Sequence, residues 1–269
     1  MANKDLDEQY LALIIDAIKV CASYRPKLGH GQKGGFSLSD FRAMYGADPF
    51  YSWFGLDSPL MYAAHKAAGG MTSVYRQIGI GGQWLFNRIL CDHLGLSEGD
   101  ANWSYTVPGT RGHKRKLSLD ARIPVTQVID RAKRDRIEAW LDRASKKLAL
   151  NAKMRNSLGG AVFEVRQGYK SKDSKRQNAD IANASNAYAH QYLPVVVLLS
   201  TQIDSDVAER YQRARWLVLT GTMTGTDVNS TYAFTKDVVG YDLAAFFKRN
   251  SATLKKQVET VLRSLLREK

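Results

Sequence analysis

Asp120 and Glu164 are the residues of this chain whose types and settings point most directly to chemistry. Residues 114–123 alternate apolar Leu117, Leu119, Ala121 and Ile123 with polar Ser118, Asp120 and Arg122, the period of a strand with one buried face. Residues 161–167 form a second such run, with Val162, Glu164 and Arg166 on one face and Ala161, Phe163 and Val165 on the other. If the two strands pair, both carboxylates meet at the edge of a cleft and can share a hard cation through oxygen ligands. A cation held there polarises a phosphodiester and lowers the pKa of a bound water, while Arg166 steadies the negative charge that develops. The plainer alternative makes Asp120 a turn carboxylate at a strand end and Glu164–Arg166 a surface ion pair of little energetic weight.

The elements around these residues alternate between helix and strand. Residues 6–23 carry Leu11, Leu13, Ile14, Ala17, Ile18 and Cys21 at helical spacing and stop at Arg25-Pro26. A glycine-rich loop, KLGHGQKGGF, follows, and residues 37–96 have a helical pattern punctuated at Gly46, Pro49, Gly55, Pro59 and Gly69-Gly70. The glycines of SVYRQIGIGGQWLFNRIL open onto an apolar helix, whose first backbone amides could hold an anion, with Arg76 and Gln77 just ahead of it. The spacing matches no nucleotide-binding loop. Residues 126–156 read as one long helix or two shorter ones with a solvated basic face. After residues 161–167 come the polar run GYKSKDSKRQNAD, a small-residue helix from about 178 to 192, and the buried strand PVVVLLS. A helix at 204–213, a strand at 215–220 and a basic helix from 242 onward complete the pattern. The expected fold is therefore α/β, a central mixed sheet flanked by helices, with an N-terminal helical region over 1–105 and the core over 106–269.

Charge narrows the partners. The 269 residues hold 39 Lys and Arg against 26 Asp and Glu, a net charge of +13, and a positive field of that size captures polyanions. Nucleic acid is the expected partner. Cys21 and Cys91 have neither the number nor the spacing of a disulfide framework or a zinc site. No stretch approaches the roughly 18 apolar residues that span a bilayer, and the polar start MANKDLDEQY does not read as a signal peptide, so a cytoplasmic protein with no membrane partner is expected.

The run FEVRQGYKSKDSKRQNAD, followed by a helix and the strand LPVVVLLS, resembles the core of type II restriction endonucleases of the PD-(D/E)XK superfamily. In that family one strand supplies an Asp, the next supplies Glu-x-Lys, and a helix and a buried strand follow. The segment SVYRQIGIGGQWLFNRIL is also similar to N-terminal helical segments of such enzymes. The resemblance spans about residues 70–220 and implies site-specific, Mg²⁺-dependent cleavage of double-stranded DNA by a homodimer, with one or two ions per active site and a cognate DNA methyltransferase in the same system. It makes Asp120 and Glu164 the metal ligands. Arg166 stands where the family has Lys, and since Arg does not deprotonate it can stabilise charge but not act as a base. Lys170 could supply a displaced ammonium, and Gln167 could orient a water. Leu119 takes the place of the motif's Pro. The polar run offers Lys172, Lys175, Arg176, Gln177 and Asn178 to DNA, Arg and Lys suiting guanine edges or phosphate and Asn and Gln adenine edges. Two other readings stay open: a repair or recombination nuclease without sequence specificity, and a non-catalytic basic DNA- or RNA-binding protein.

Overall fold

The structure, a computed structural model, describes residues 2–28, 34–108, 114–169 and 183–267. Its helices are α1 (Ala2–Lys19), α2 (Leu38–Gly46), α3 (Pro49–Trp53), α4 (Pro59–Leu94), α5 (Glu98–Ala101), α6 (Arg131–Lys147), α7 (Ala152–Ser157), α8 (183–189), α9 (Ser205–Arg213), α10 (Thr231–Ala233) and α11 (Leu243–Leu265). The chain divides into two compact units, Met1–Gly81 with Arg249–Lys269, and Gly82–Lys248. The sequence pattern had suggested one boundary near residue 105, with the C-terminal helix counted in the core.

The first unit is helical. α1 buries Ile14, Ala17 and Ile18 of the stripe its helical spacing predicts, together with Tyr10, while Leu11 and Leu13 are only partly buried; a tight turn at Val20–Ser23, which buries Cys21, ends it before Pro26. α2 starts at a reciprocal cap in which Ser37 accepts the Asp40 amide and Asp40 accepts the Ser37 amide. Arg249 and Ser264 tie the C-terminal segment to this unit. The Arg249 guanidinium grips Asp7 (Nε–Oδ2 2.8 Å), and the Ser264 hydroxyl donates to the Ala22 carbonyl at 2.8 Å.

α4 corrects one expectation. It runs unbroken through Gly69-Gly70 and through Gly79, Gly81 and Gly82, so no helix begins at the glycine cluster. Amides inside a helix donate to the preceding turn and are not offered to an anion. Two of these glycines are there for close approach. A Cβ on Gly81 would stand 2.9 Å from the Ile14 Cα, and one on Gly82 would stand 2.5 Å from the Leu199 Cδ1.

The second unit holds the sheets. β1 (Trp103–Pro108) and β2 (Lys114–Leu119) form an antiparallel hairpin in which Trp103 pairs with Leu119. β3 (Ala121–Pro124), β4 (Gly160–Arg166), β5 (Tyr192–Leu198) and β6 (Leu217–Leu219) form a four-stranded sheet in that order. β3 is antiparallel to β4, and β4, β5 and β6 are mutually parallel, with Glu164 beside Val196 and Arg166 beside Leu198. The fold is thus mixed α/β, a mixed sheet flanked by helices. Residues 126–156 resolve into the two shorter helices α6 and α7, and residues 114–123, expected as one strand, break at Asp120.

Both faces of this sheet are covered, which is why β5 reads as a continuous apolar run. On one face Phe163 packs among Phe86, Trp140 and Phe234, with ring centroids 5.3, 6.4 and 5.7 Å away. α6 supplies Trp140 from a buried stripe of Ile137, Trp140, Leu141 and Ala144. On the other face Val162, Val196 and Leu198 join Trp103, Leu119, Tyr211 and Trp216. Burying each such large side chain is worth about 1.5–3 kcal/mol, so the strand carrying Glu164 is pinned from both sides.

Candidate active site

Asp120 sits at the joint between β2 and β3. Its amide donates to the Phe163 carbonyl at 2.9 Å, yet Ala121 is the residue paired with Phe163, so two consecutive residues address one. An extra residue of this kind shifts the alternation of a strand and re-aims a side chain. The shift is visible in the packing: Leu119 lies in the cluster on the Val162 face, whereas Ala121 stands across from Phe163, which points to the opposite face. Leu119 and Ala121 therefore do not share the single buried face that alternation predicts.

The released Asp120 side chain turns to β4. Its Oδ2 accepts the Val165 amide at 2.8 Å, in place of a main-chain carbonyl. That nitrogen belongs to the peptide bond following Glu164, so the two carboxylate-bearing residues are joined through a single peptide unit. Glu164 itself is 7% exposed, and its Oε1 meets the Arg166 Nη2 at 2.5 Å. The Arg166 guanidinium also lies 5.9 Å from the centre of the Tyr169 ring. Asp120 lies at a bend between two strand ends, as the plainer alternative has it, whereas the Glu164–Arg166 pair is largely withdrawn from solvent. An ion pair in such a setting is costly to desolvate and is sensitive to the loss of either partner.

Two residues that the sequence reading passed over hold the joint from α4. Gln83 Nε2 donates both to Asp120 Oδ2 and to the Val165 carbonyl, each at 3.1 Å. One turn on, Asn87 Nδ2 donates to the Asp120 carbonyl at 3.3 Å and to the Ala101 carbonyl at 3.4 Å. The absent side chain at Gly82 leaves the space that Leu199 fills, which lets this turn of α4 approach the end of β5. The available signal was two carboxamides at i and i+4 within an otherwise apolar helical stretch.

These groups gather at the carboxyl end of β4. There the chain stays in register beyond the strands, with the Leu199 amide bonded to the Arg166 carbonyl at 3.0 Å and the Ser200 amide to the Gln167 carbonyl at 2.9 Å. The Gly221 amide continues the row to the Ser200 carbonyl at 3.1 Å. In open sheets with parallel strands, the carboxyl ends form the usual ligand crevice. Gln167, partly exposed, stands on this edge.

The oxygen donors at this end of β4 are the carboxylates of Asp120, bonded to Val165 and Gln83, and of Glu164, paired with Arg166. Mg²⁺ binds through one or two carboxylates and completes its shell with water and phosphate oxygens. No group of three or more His, Cys, Asp or Glu gathers to hold a metal among the described residues. Arg76 is exposed and Gln77 partly buried on α4, in mid-helix. Lys170, Lys172, Lys175, Arg176, Gln177 and Asn178 lie outside the described residues.

No helix among the described residues is long and apolar enough to cross a membrane. No protein-family model, curated protein or solved structure matches the chain.

Proposed function

We propose that this chain is a Mg²⁺-dependent endonuclease that cuts double-stranded DNA at a short specific site, with a core of the PD-(D/E)XK restriction-endonuclease type. The observation that carries the reading is the Asp120 carboxylate bonded to the peptide nitrogen after Glu164, beside the buried Glu164–Arg166 pair. The order of elements supports it. Glu164 lies on one strand of an antiparallel pair and Asp120 just before the other, and a helix and a buried parallel strand follow, the order that the sequence resemblance implies. The net charge of +13 supports a polyanionic substrate.

Mg²⁺, when bound, would polarise the scissile phosphate and generate a hydroxide nucleophile near neutral pH. Asp120 and Glu164 would hold one or two such ions. Arg166 would balance the charge of the carboxylates and of the phosphate, and being permanently protonated it leaves proton removal to other groups, with Lys170 and Gln167 as candidates. The run containing Lys172, Lys175, Arg176, Gln177 and Asn178 would contact the duplex. A homodimer would match the two-fold symmetry of a palindromic site, and a cognate methyltransferase would protect the host DNA in the cytoplasm.

Supercoiled plasmid incubated with the chain and Mg²⁺ should yield discrete fragments. Glu164→Gln and Asp120→Asn should each cut at least about 100-fold more slowly while still shifting duplex DNA in a gel. Undiminished cutting by both variants would remove the two acids from the mechanism. A smear would identify a nuclease without sequence specificity, and shifts without cutting under any divalent ion would identify a binding protein.

A further inference from the structure

We infer that Gln83 is a positioning residue for the metal-binding carboxylate, an inference that rests on the nuclease reading of the Asp120–Glu164 site. Its side chain bonds to both halves of the joint, Asp120 Oδ2 and the Val165 carbonyl, through the same Nε2 at 3.1 Å each. Oδ2 thereby receives two donors, the Val165 amide and Gln83. Two donors converging on one oxygen fix both the torsion of the carboxylate and its distance from β4.

The chemistry of the donor matters as much as its place. A neutral carboxamide orients the carboxylate without neutralising it, so the Asp120 charge stays available for a cation. A lysine there would compete with the metal, and a carboxylate would repel Asp120 in the metal-free chain. Asn87 holds the main chain of the same residue, so the two amides of α4 act on separate parts of Asp120, Gln83 on the side chain and Asn87 on the carbonyl. Partners that orient a metal ligand typically change metal affinity by roughly 10–100-fold when removed.

The experiment compares wild type, Gln83→Met, which keeps the shape and loses the donor, and Gln83→Asn, which withdraws it by one methylene. Mn²⁺ binding to the DNA-free chain is followed by loss of the free-ion electron paramagnetic resonance signal. Thermal unfolding and the kcat and KM for plasmid cleavage are measured alongside. Both variants are expected to melt within a few degrees of wild type, to bind Mn²⁺ about tenfold more weakly or worse, and to lose kcat with KM for DNA unchanged. Wild-type Mn²⁺ affinity and kcat in the variants would overturn the positioning role and leave the nuclease reading intact. Failure of both variants to fold would also overturn it, assigning Gln83 to stability alone. A wild-type chain that neither binds Mn²⁺ nor cuts DNA would overturn the nuclease reading and this role with it.

Discussion

The Asp120 carboxylate takes the Val165 amide at 2.8 Å, in the place where a strand carbonyl would continue the ladder. A side chain so placed caps the end of β4 as well as presenting a charge, and the two roles separate by substitution. Asp120→Asn keeps an acceptor oxygen for the Val165 amide, whereas Asp120→Ala leaves that amide without it. Losing the acceptor of a buried donor costs about 1–3 kcal/mol. Urea unfolding should therefore place Asp120→Ala about 2 kcal/mol below wild type and Asp120→Asn within about 1 kcal/mol, with both inactive in cleavage. Equal stability losses in the two variants would show that the amide does not depend on this carboxylate.

The neighbouring glycines of α4 differ in what faces them, and Ala substitutions should move stability in opposite directions. At Gly81 the added methyl meets the Ile14 Cα at 2.9 Å, and backbone yields little. At Gly82 it meets the tip of Leu199, which can rotate aside. Ala in a helix interior gains up to about 1 kcal/mol over Gly, while overpacking costs about 1–3 kcal/mol. Gly82→Ala is expected to be neutral or stabilising, and Gly81→Ala to lower the unfolding midpoint. A destabilised Gly82→Ala would mean that Leu199 is itself rigidly packed.

Acid should weaken the second unit through His93. Burial pushes this imidazole below its ordinary value; Asp92 opposes the shift and Lys133 adds to it. Its ring lies tilted against Tyr241 with centroids 4.8 Å apart, and its buried Nε2 makes no hydrogen bond among the described residues. The unfolded chain, with an ordinary imidazole near about 6.5, then takes up the proton first as pH falls. Stability from the neutral ring is complete above that pH and declines from there toward the lowered folded value. His93→Phe keeps the ring contact and removes the titration. Its urea midpoint should fall less than wild type's between pH 7.5 and 5.0, and parallel declines would place the acid sensitivity elsewhere.

Periodicity made most of the framework legible, and the exceptions share a cause. The β4 and β5 strands, the capped helix at Ser205–Arg213 and the buried stripe of α1 follow from local patterns that tertiary packing reinforces. The break at Asp120 was hidden because Leu119 and Ala121 are both apolar, so an alternation carried through the bulge looks uninterrupted. Gly81 and Gly82 resembled punctuation because a glycine that admits a neighbour and one that ends a helix are the same letter. Residue type singled out Asp120, Glu164 and Arg166, the phase read for Asp120 failed at the break, and the structure adds the bond from Asp120 to the Glu164–Val165 peptide. Gln83 and Asn87 went unnoticed because carboxamides carry no charge, and their partners are 37 and 33 positions away.

Arg166 separates stability from chemistry at the site, since it pairs with Glu164 and lies over the Tyr169 ring. Its guanidinium meets Glu164 at 2.5 Å with only 12% of its side chain exposed, so Arg166→Met takes this cation away from a buried carboxylate. Breaking a buried pair from one side costs about 3–5 kcal/mol, whereas replacing both partners by apolar groups is often close to neutral. The double variant Glu164→Leu/Arg166→Met should therefore unfold at a urea concentration nearer to wild type than Arg166→Met does, while cutting no DNA. Arg166→Lys is the informative single change. It retains the positive charge beside Glu164, loses the second arm of the fork and the flat stacking surface against Tyr169, and introduces a group able to deprotonate. It should cost about 1 kcal/mol in stability, yet keep cleavage within about tenfold of wild type. If the lysine variant is as inactive as the methionine variant, the guanidinium geometry rather than its charge serves the reaction.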